Sequence, residues 1–200
     1  EFDAGAVEYH RALLAGGAAQ ARLVHWRMAK CRIERGDAAR ALESMRQALL
    51  VLRAMPTPID DNERAEMQTD LGDIFMRLGM TEEAHRAFER ASLGTSEATL
   101  SRLAELSFRY NLWHEAQAVL RRNVELHPDS HTAHWNLAHA LAESWDMQGA
   151  LESLAQAEAI APQSGAKSMH ASIAGRTGDA DTALRLYKEL AEEEGPHSSM

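Results

Sequence analysis

The sequence predicts an all-α chain of stacked antiparallel helix pairs, and three observations carry that prediction. A fixed pattern of turn residue, alanine, large apolar residue and small residue recurs five times along the chain. Alanine is abundant, proline is scarce and β-branched runs are nearly absent, a composition that favours helix over strand. No stretch approaches the roughly 20 consecutive apolar residues that a membrane-spanning helix needs.

The pattern is read most easily by sliding "RLGMTEEAHRAFERA" along the chain. That block carries Gly79, Ala84, Phe88 and Ala91. "ERGDAARALESMRQA" supplies Gly36, Ala41, Met45 and Ala48, and "RYNLWHEAQAVLRRN" supplies Asn111, Ala116, Leu120 and Asn123. "ESWDMQGALESLAQA" gives Trp145, Ala150, Leu154 and Ala157, and "RTGDADTALRLYKEL" gives Gly178, Ala183, Tyr187 and Leu190. The turn positions are separated by 43, 32, 34 and 33 residues. Within each block the alanine and the large residue stand at i and i+4, on one face of a helix. The segment before each turn is also helical in period: Leu71, Phe75 and Leu78 share a stripe, as do Leu137 and Leu141, while Leu103 stands beside Ala104. Each unit is therefore a helix–turn–helix of about 34 residues, which cannot bury its apolar face alone and must stack on neighbours.

Taken in order, residues 1–19 are expected to be the second helix of a truncated preceding unit, with Gly5, Tyr9 and Ala12 in helical register. Residues 20–194 hold five units, at about 22–55, 65–96, 97–130, 131–163 and 164–194, and 195–200 form a tail. The long first interval is absorbed by "PTPIDDNER" as a loop or a helix extension. Asn111 and Trp145 stand where the other units carry a turn glycine, and Asn123 and Leu190 fill the last small slot, so close packing is in question at those corners. A half unit at one end, and no polar capping helix at the other, point to excision from a longer array.

Thirty acidic against 21 basic residues give a net charge of −9, which argues against nucleic acid as the partner and more often serves solubility than the attraction of a basic partner. Cys31 is the only cysteine, so no intrachain disulfide or multi-cysteine zinc site can form. That leaves the compartment open, with a cytoplasmic setting the expectation. "HPDSHTAHWNLAH" places His127, His131, His134 and His139 at helical spacings, but Pro128 interrupts them and no H-E-x-x-H arrangement accompanies them, so no metal is expected and His134 is assigned to packing between units. Gly72 and Gly79 follow no strand and match no phosphate-binding loop. Gly72 reads as a packing notch and Gly79 as a helix end in left-handed conformation. No nucleophile motif is present, so no catalytic residue and no cofactor is assigned.

Leu71, Gly72, Phe75, Gly79, Ala84, Phe88 and Ala91, together with Pro128 and Pro162 between units, give the chain a resemblance to the tetratricopeptide repeat family from about Gln20 to Glu194. The resemblance implies a right-handed superhelical solenoid whose first helices line a concave groove. In the family, the groove-facing places are the second, fifth, sixth, ninth, twelfth and thirteenth of each unit. Carried onto this sequence, they select Trp26 and Lys30 in unit one and Asp73 and Arg77 in unit two as partner-binding residues. Unit three supplies Arg102, Glu105 and Arg109, and unit four supplies Trp135, Asn136 and His139. Unit five is nearly bare, with Gly165, Ser168, Met169, Ser172, Gly175 and Arg176. Trp26 and Trp135 are aromatic anchors, and Arg77, Arg102 and Arg109 form a cluster suited to carboxylates. Asp70, Asp73 and Glu105 are available to pair with that cluster. The Lys and Asn of the family's chaperone-tail clamp are missing from the fifth and ninth places, so that subfamily is rejected. The expected function is a non-catalytic scaffold binding a protein or peptide segment, without membrane insertion. The alternative is the recognition region of a larger enzyme of bacterial type, such as a glycosyltransferase or sulfotransferase. Self-association through the end units is a third possibility.

Overall fold

A computed structural model describes residues 2–55, 59–161 and 165–194, with side chains described from Gly17 to Glu192. Pro56–Pro58, Pro162 and the 195–200 tail lie outside the described residues, as do the side chains of Tyr9 and Ala12. Every regular element among the described residues is a helix: α1 (Phe2–Glu34), α2 (Ala38–Ala54), α3 (Asp61–Arg77), α4 (Thr81–Ala91), α5 (Glu97–Arg109), α6 (Trp113–Leu126), α7 (His131–Glu143), α8 (Met147–Ile160), α9 (Gly165–Thr177) and α10 (Ala180–Glu194). None of them is long and apolar enough to cross a membrane. The chain divides into two compact bodies, each holding several repeats and called unit 1 (Glu1–Leu106) and unit 2 (Ser107–Met200) from here on. In the first, α1 packs on α2, α3 packs on α4, and α1 and α2 both touch α3. In the second, α7 packs on α8 and α9 on α10, with α6 against α7 and α8 against α9.

The five recurrent turn residues all do one thing. Each has a left-handed backbone: Gly36 at φ 77°, Gly79 at 73°, Asn111 at 60°, Trp145 at 67° and Gly178 at 86°. In each turn the N–H of the following residue reaches back five positions: Asp37 to Arg32, Met80 to Phe75, Leu112 to Ser107, Asp146 to Leu141 and Asp179 to Ala174, all at 2.8–2.9 Å. The turn residue itself donates three positions back, as in Gly79 to Met76 and Trp145 to Ala142. This pair of bonds is the Schellman motif, which satisfies the last carbonyls of a helix and reverses the chain. Asn111 and Trp145, where the sequence puts close packing in question, keep the backbone geometry of the glycine turns. Asn tolerates it at small cost, whereas Trp adopts it against a steric penalty of roughly 1–2 kcal/mol. After three of the five turns the next helix starts on a side-chain cap, with Asp37 accepting from Arg40 N–H, Asp146 from Gly149 N–H and Asp179 from Thr182 N–H. A hydrogen bond from the Thr182 side chain, and secondly that from its backbone, holds the carboxyl of Asp179 below its ordinary pKa.

The apolar template forms the core. Ala41, Met45 and Ala48 are fully buried, as are Ala84 and Ala91 with Phe88 between them, Ala116 with Leu120 and Asn123, and Ala150 with Leu154 and Ala157. In α10 the equivalent large residue, Tyr187, is 49% exposed. Small residues are required because helices come close. A Cβ built on Gly72 would stand 2.2 Å from the ring of Phe88, and one on Gly94 would stand 2.6 Å from the Cβ of Ala65. The surplus between the first two turns goes partly into helix: α2 and α3 run 17 residues each, against 11 in α4 and 13 in α5. Within α1 the helical run is interrupted at Gly17, whose φ of 66° and ψ of −172° lie in a region open essentially to glycine alone.

Two glycine substitutions separate close packing from backbone conformation. Gly72→Ala is expected to lower stability by about 1–3 kcal/mol through overpacking against Phe88. Gly79→Ala, with nothing within 4 Å of its added Cβ, loses only the left-handed backbone penalty of about 1 kcal/mol. Urea denaturation should give the larger midpoint loss for Gly72→Ala; an unchanged midpoint there contradicts the notch.

Candidate functional site

The first helices of unit 1 meet at one carboxylate. Asp70, on α3, has no solvent exposure, and a buried carboxylate requires donors on both oxygens. Trp26 on α1 donates its indole N–H to Asp70 Oδ2 at 2.7 Å. Lys30, one helical turn further along α1, places Nζ 3.7 Å from the same oxygen and 3.2 Å from Glu66 Oε1. Arg102 on α5 donates from Nη2 to Asp70 Oδ1 at 2.5 Å. Lys30 Nζ also sits 4.6 Å from the centre of the Trp26 ring, a cation–π contact that holds the lysine against the helix. Residues of α1, α3 and α5 are thus tied through one acid.

A second buried charge accompanies the first. Arg22, with its side chain 5% exposed, pairs through Nη2 with Glu63 at 2.7 Å and points Nη1 at the sulfur of Met67, 3.7 Å away. On the same helix as Arg22, the pKa of His25 is lowered chiefly by burial and secondly by Arg32.

The sequence-selected residues fall into distinct environments. Trp26 is 6% exposed and its N–H is engaged, so it forms part of the wall and is no protruding anchor. Lys30 and Arg102 converge on Asp70. Asp73 is 2% exposed and accepts from Arg77 Nε at 3.1 Å. Arg77 and Arg102 therefore end on different carboxylates of α3, where the sequence had placed them in one cluster with Arg109. Glu105 and Arg109 are exposed on α5. In unit 2, Trp135 is half-buried on α7, stacked on His131 with ring centres 5.9 Å apart and planes 19° from parallel. A Cβ on Gly165 would stand 3.0 Å from the far edge of that indole, so α9 approaches Trp135 closely because it carries glycine there. Asn136 is half-buried and His139 exposed. His134 is buried and donates from Nε2 to the Pro128 carbonyl at 2.9 Å, closing the loop ahead of α7. Among the described residues no three His, Cys, Asp or Glu side chains are placed to hold a metal ion.

Nothing in the sequence marks out Arg22, while Asp70 stands there as a groove-facing position of unit two and a possible pairing partner of the arginines. A signal existed for Asp70: an acid one residue before the Leu71–Gly72 packing pair, facing an aromatic and a lysine one unit earlier and an arginine one unit later.

Antiparallel helix pairs closed by identical turns, with a buried alanine-rich face and a polar first-helix face, define a helical-repeat protein. The tetratricopeptide repeat family model matches residues 101–165. Solved structures with this fold include YrrB, a TPR protein with an unusual peptide-binding site, at 18% identity and a TM-score of 0.62, covering 94% of this chain and 93% of that one. MamA from Desulfovibrio magneticus aligns at 16% identity and a TM-score of 0.63, covering 89% and 97%. A putative kinesin light chain of Podospora anserina with nearly identical TPR-like repeats aligns at 17% identity and a TM-score of 0.70, covering 92% and 100%. Residues 101–165 thus match the tetratricopeptide repeat model, and the described helices share the fold of TPR proteins. No curated protein sequence matches it.

Asp70→Asn is expected to destabilise the protein by about 2 kcal/mol, because Trp26 keeps a buried N–H facing a weaker acceptor while Lys30 and Arg102 turn to water. Chemical denaturation measures the loss. A variant as stable as the parent contradicts the bonding described for Asp70.

Proposed function

We propose that the chain is a non-catalytic scaffold that binds an extended protein segment on the first-helix faces of its repeats. The observation that carries this reading is the state of Arg102. Its guanidinium is anchored through Nη2 to a fully buried acid, while 38% of its side chain remains exposed. The remaining N–H groups of that guanidinium form an immobilised fork. Such a fork suits an acidic side chain or terminal carboxylate of a ligand, since little side-chain entropy is left to lose on binding. Lys30, fixed over Trp26, adds a second positioned cation on the same face. In unit 2, Trp135 offers a rigid half-buried indole beside Asn136, an arrangement suited to an apolar side chain and a peptide backbone. YrrB, which shares the fold, is a TPR protein with a peptide-binding site, and that precedent is consistent with a peptide as ligand here.

An array of immobilised peptides, each present in carboxylate and carboxamide form, tests the reading. The parent protein should retain a subset of the carboxylate peptides. Arg102→Lys preserves the pairing with Asp70 but lacks the planar fork, and should weaken that subset by about tenfold, the value of one charge-assisted bond. Trp135→Ala should remove the contribution of flanking apolar residues. If both variants retain the same peptides at unchanged affinity, the first-helix faces are not the binding surface.

A further inference from the structure

The second unit carries an exposed aromatic edge that is separate from the first-helix faces. Trp145 occupies the left-handed position of the α7–α8 turn at φ 67°, where three of the five turns use glycine. A bulky residue in that conformation is a steric outlier held by the bonds of the turn, and such outliers cluster at functional sites. The indole is 67% exposed, so burial does not account for its retention. It is nevertheless held in place. Arg176, from the end of α9, lies over the ring at 5.2 Å and is itself clamped by the Ala142 carbonyl at 2.7 Å and by both oxygens of Glu143 at 3.1 and 3.5 Å. A second indole stands on the same edge. Gln117 donates to the Ser144 hydroxyl, the residue before Trp145, and Trp113 lies one helical turn before Gln117 on the same face of α6. Trp113 is 39% exposed and rests on Phe108, with ring centres 5.5 Å apart.

We propose that this edge of unit 2, formed by Trp113 and Trp145, docks a basic protein segment by receiving its arginine or lysine side chains on the indole faces. Three features select that occupant. Trp145 already holds one guanidinium on its ring, which shows that the ring is presented in an orientation a cation can use. Exposed Glu115, Glu143 and Asp146 lie within two residues of the indoles, Glu143 paired with Arg176 and Asp146 with Arg121. The net charge of −9 draws a basic partner towards the surface and disfavours a second copy of the same chain. A rigid exposed Trp flanked by Arg is the residue pairing that dominates interface energetics.

The test uses a short arginine-rich peptide free of aromatic residues, with its glutamate counterpart as control, followed by the indole N–H resonances in nitrogen-15 spectra. The arginine peptide should shift the signals of Trp145 and Trp113, assigned by substitution, and leave that of Trp26 in place; the glutamate peptide should shift none. Trp145→Gly keeps the net charge and relaxes the turn, so it folds, as a cooperative melt verifies, and it should weaken the arginine peptide by about tenfold or more. Trp145→Asn, a second residue tolerant of this conformation, should do the same. Arg102→Lys should leave this binding unchanged, which separates the edge from the first-helix faces. Equal affinity in the parent and both Trp145 variants, or shifts confined to Trp135, overturns the proposal.

Discussion

A carboxylate withdrawn from water must be met by donors, and in unit 1 that requirement fixes where three helices stand. Asp70 sits on α3 with no exposure, so α1 must bring Trp26 and Lys30 to one oxygen and α5 must bring Arg102 to the other. Small errors in helix placement would break bonds of 2.5–2.7 Å. A buried ion cluster is weak evidence of net stability, because desolvation opposes the Coulomb gain. Its effect here is positional. It aligns the first helices and leaves Arg102 fixed at the surface.

The wider architecture depends on shape more than on charge. Fully buried alanines at fixed intervals on α2, α4, α6 and α8 let neighbouring helices approach closely, and Gly72 admits the Phe88 ring where no Cβ would fit. Five Schellman turns reverse the chain at the same relative position, and aspartates cap the helices that follow Gly36, Trp145 and Gly178. Repetition of one local solution explains why a template of four residue types extends along most of the chain.

This division governs what the sequence could reveal. Turn positions, the buried alanine, the large apolar residue and the packing role of Gly72 follow from periodicity and small-residue spacing, both local properties of a helix. Which charged residues pair does not, since Trp26, Asp70 and Arg102 lie 44 and 32 residues apart and their meeting depends on helix stacking. For the same reason the sequence marks Trp26 as an aromatic anchor but does not reveal that its indole N–H is engaged by Asp70. Trp145 misleads in the other direction. A tryptophan in place of a turn glycine suggests a disturbed corner, but the backbone bonds of the turn outweigh its steric cost, and the side chain is pushed outward where it meets Arg176.

Two surfaces of different chemistry result, one with immobilised cations on the first helices of unit 1 and one with exposed indoles among carboxylates on the turn edge of unit 2. The first is organised by Asp70, and a double-mutant cycle tests that claim most directly. Trp26→Phe and Arg102→Gln, which are linked through Asp70, should be non-additive in unfolding free energy by about 1 kcal/mol, and the coupling should vanish when Asp70 is replaced by Asn. Additivity within about 0.4 kcal/mol in the parent background would show that the two residues act independently and would contradict the account.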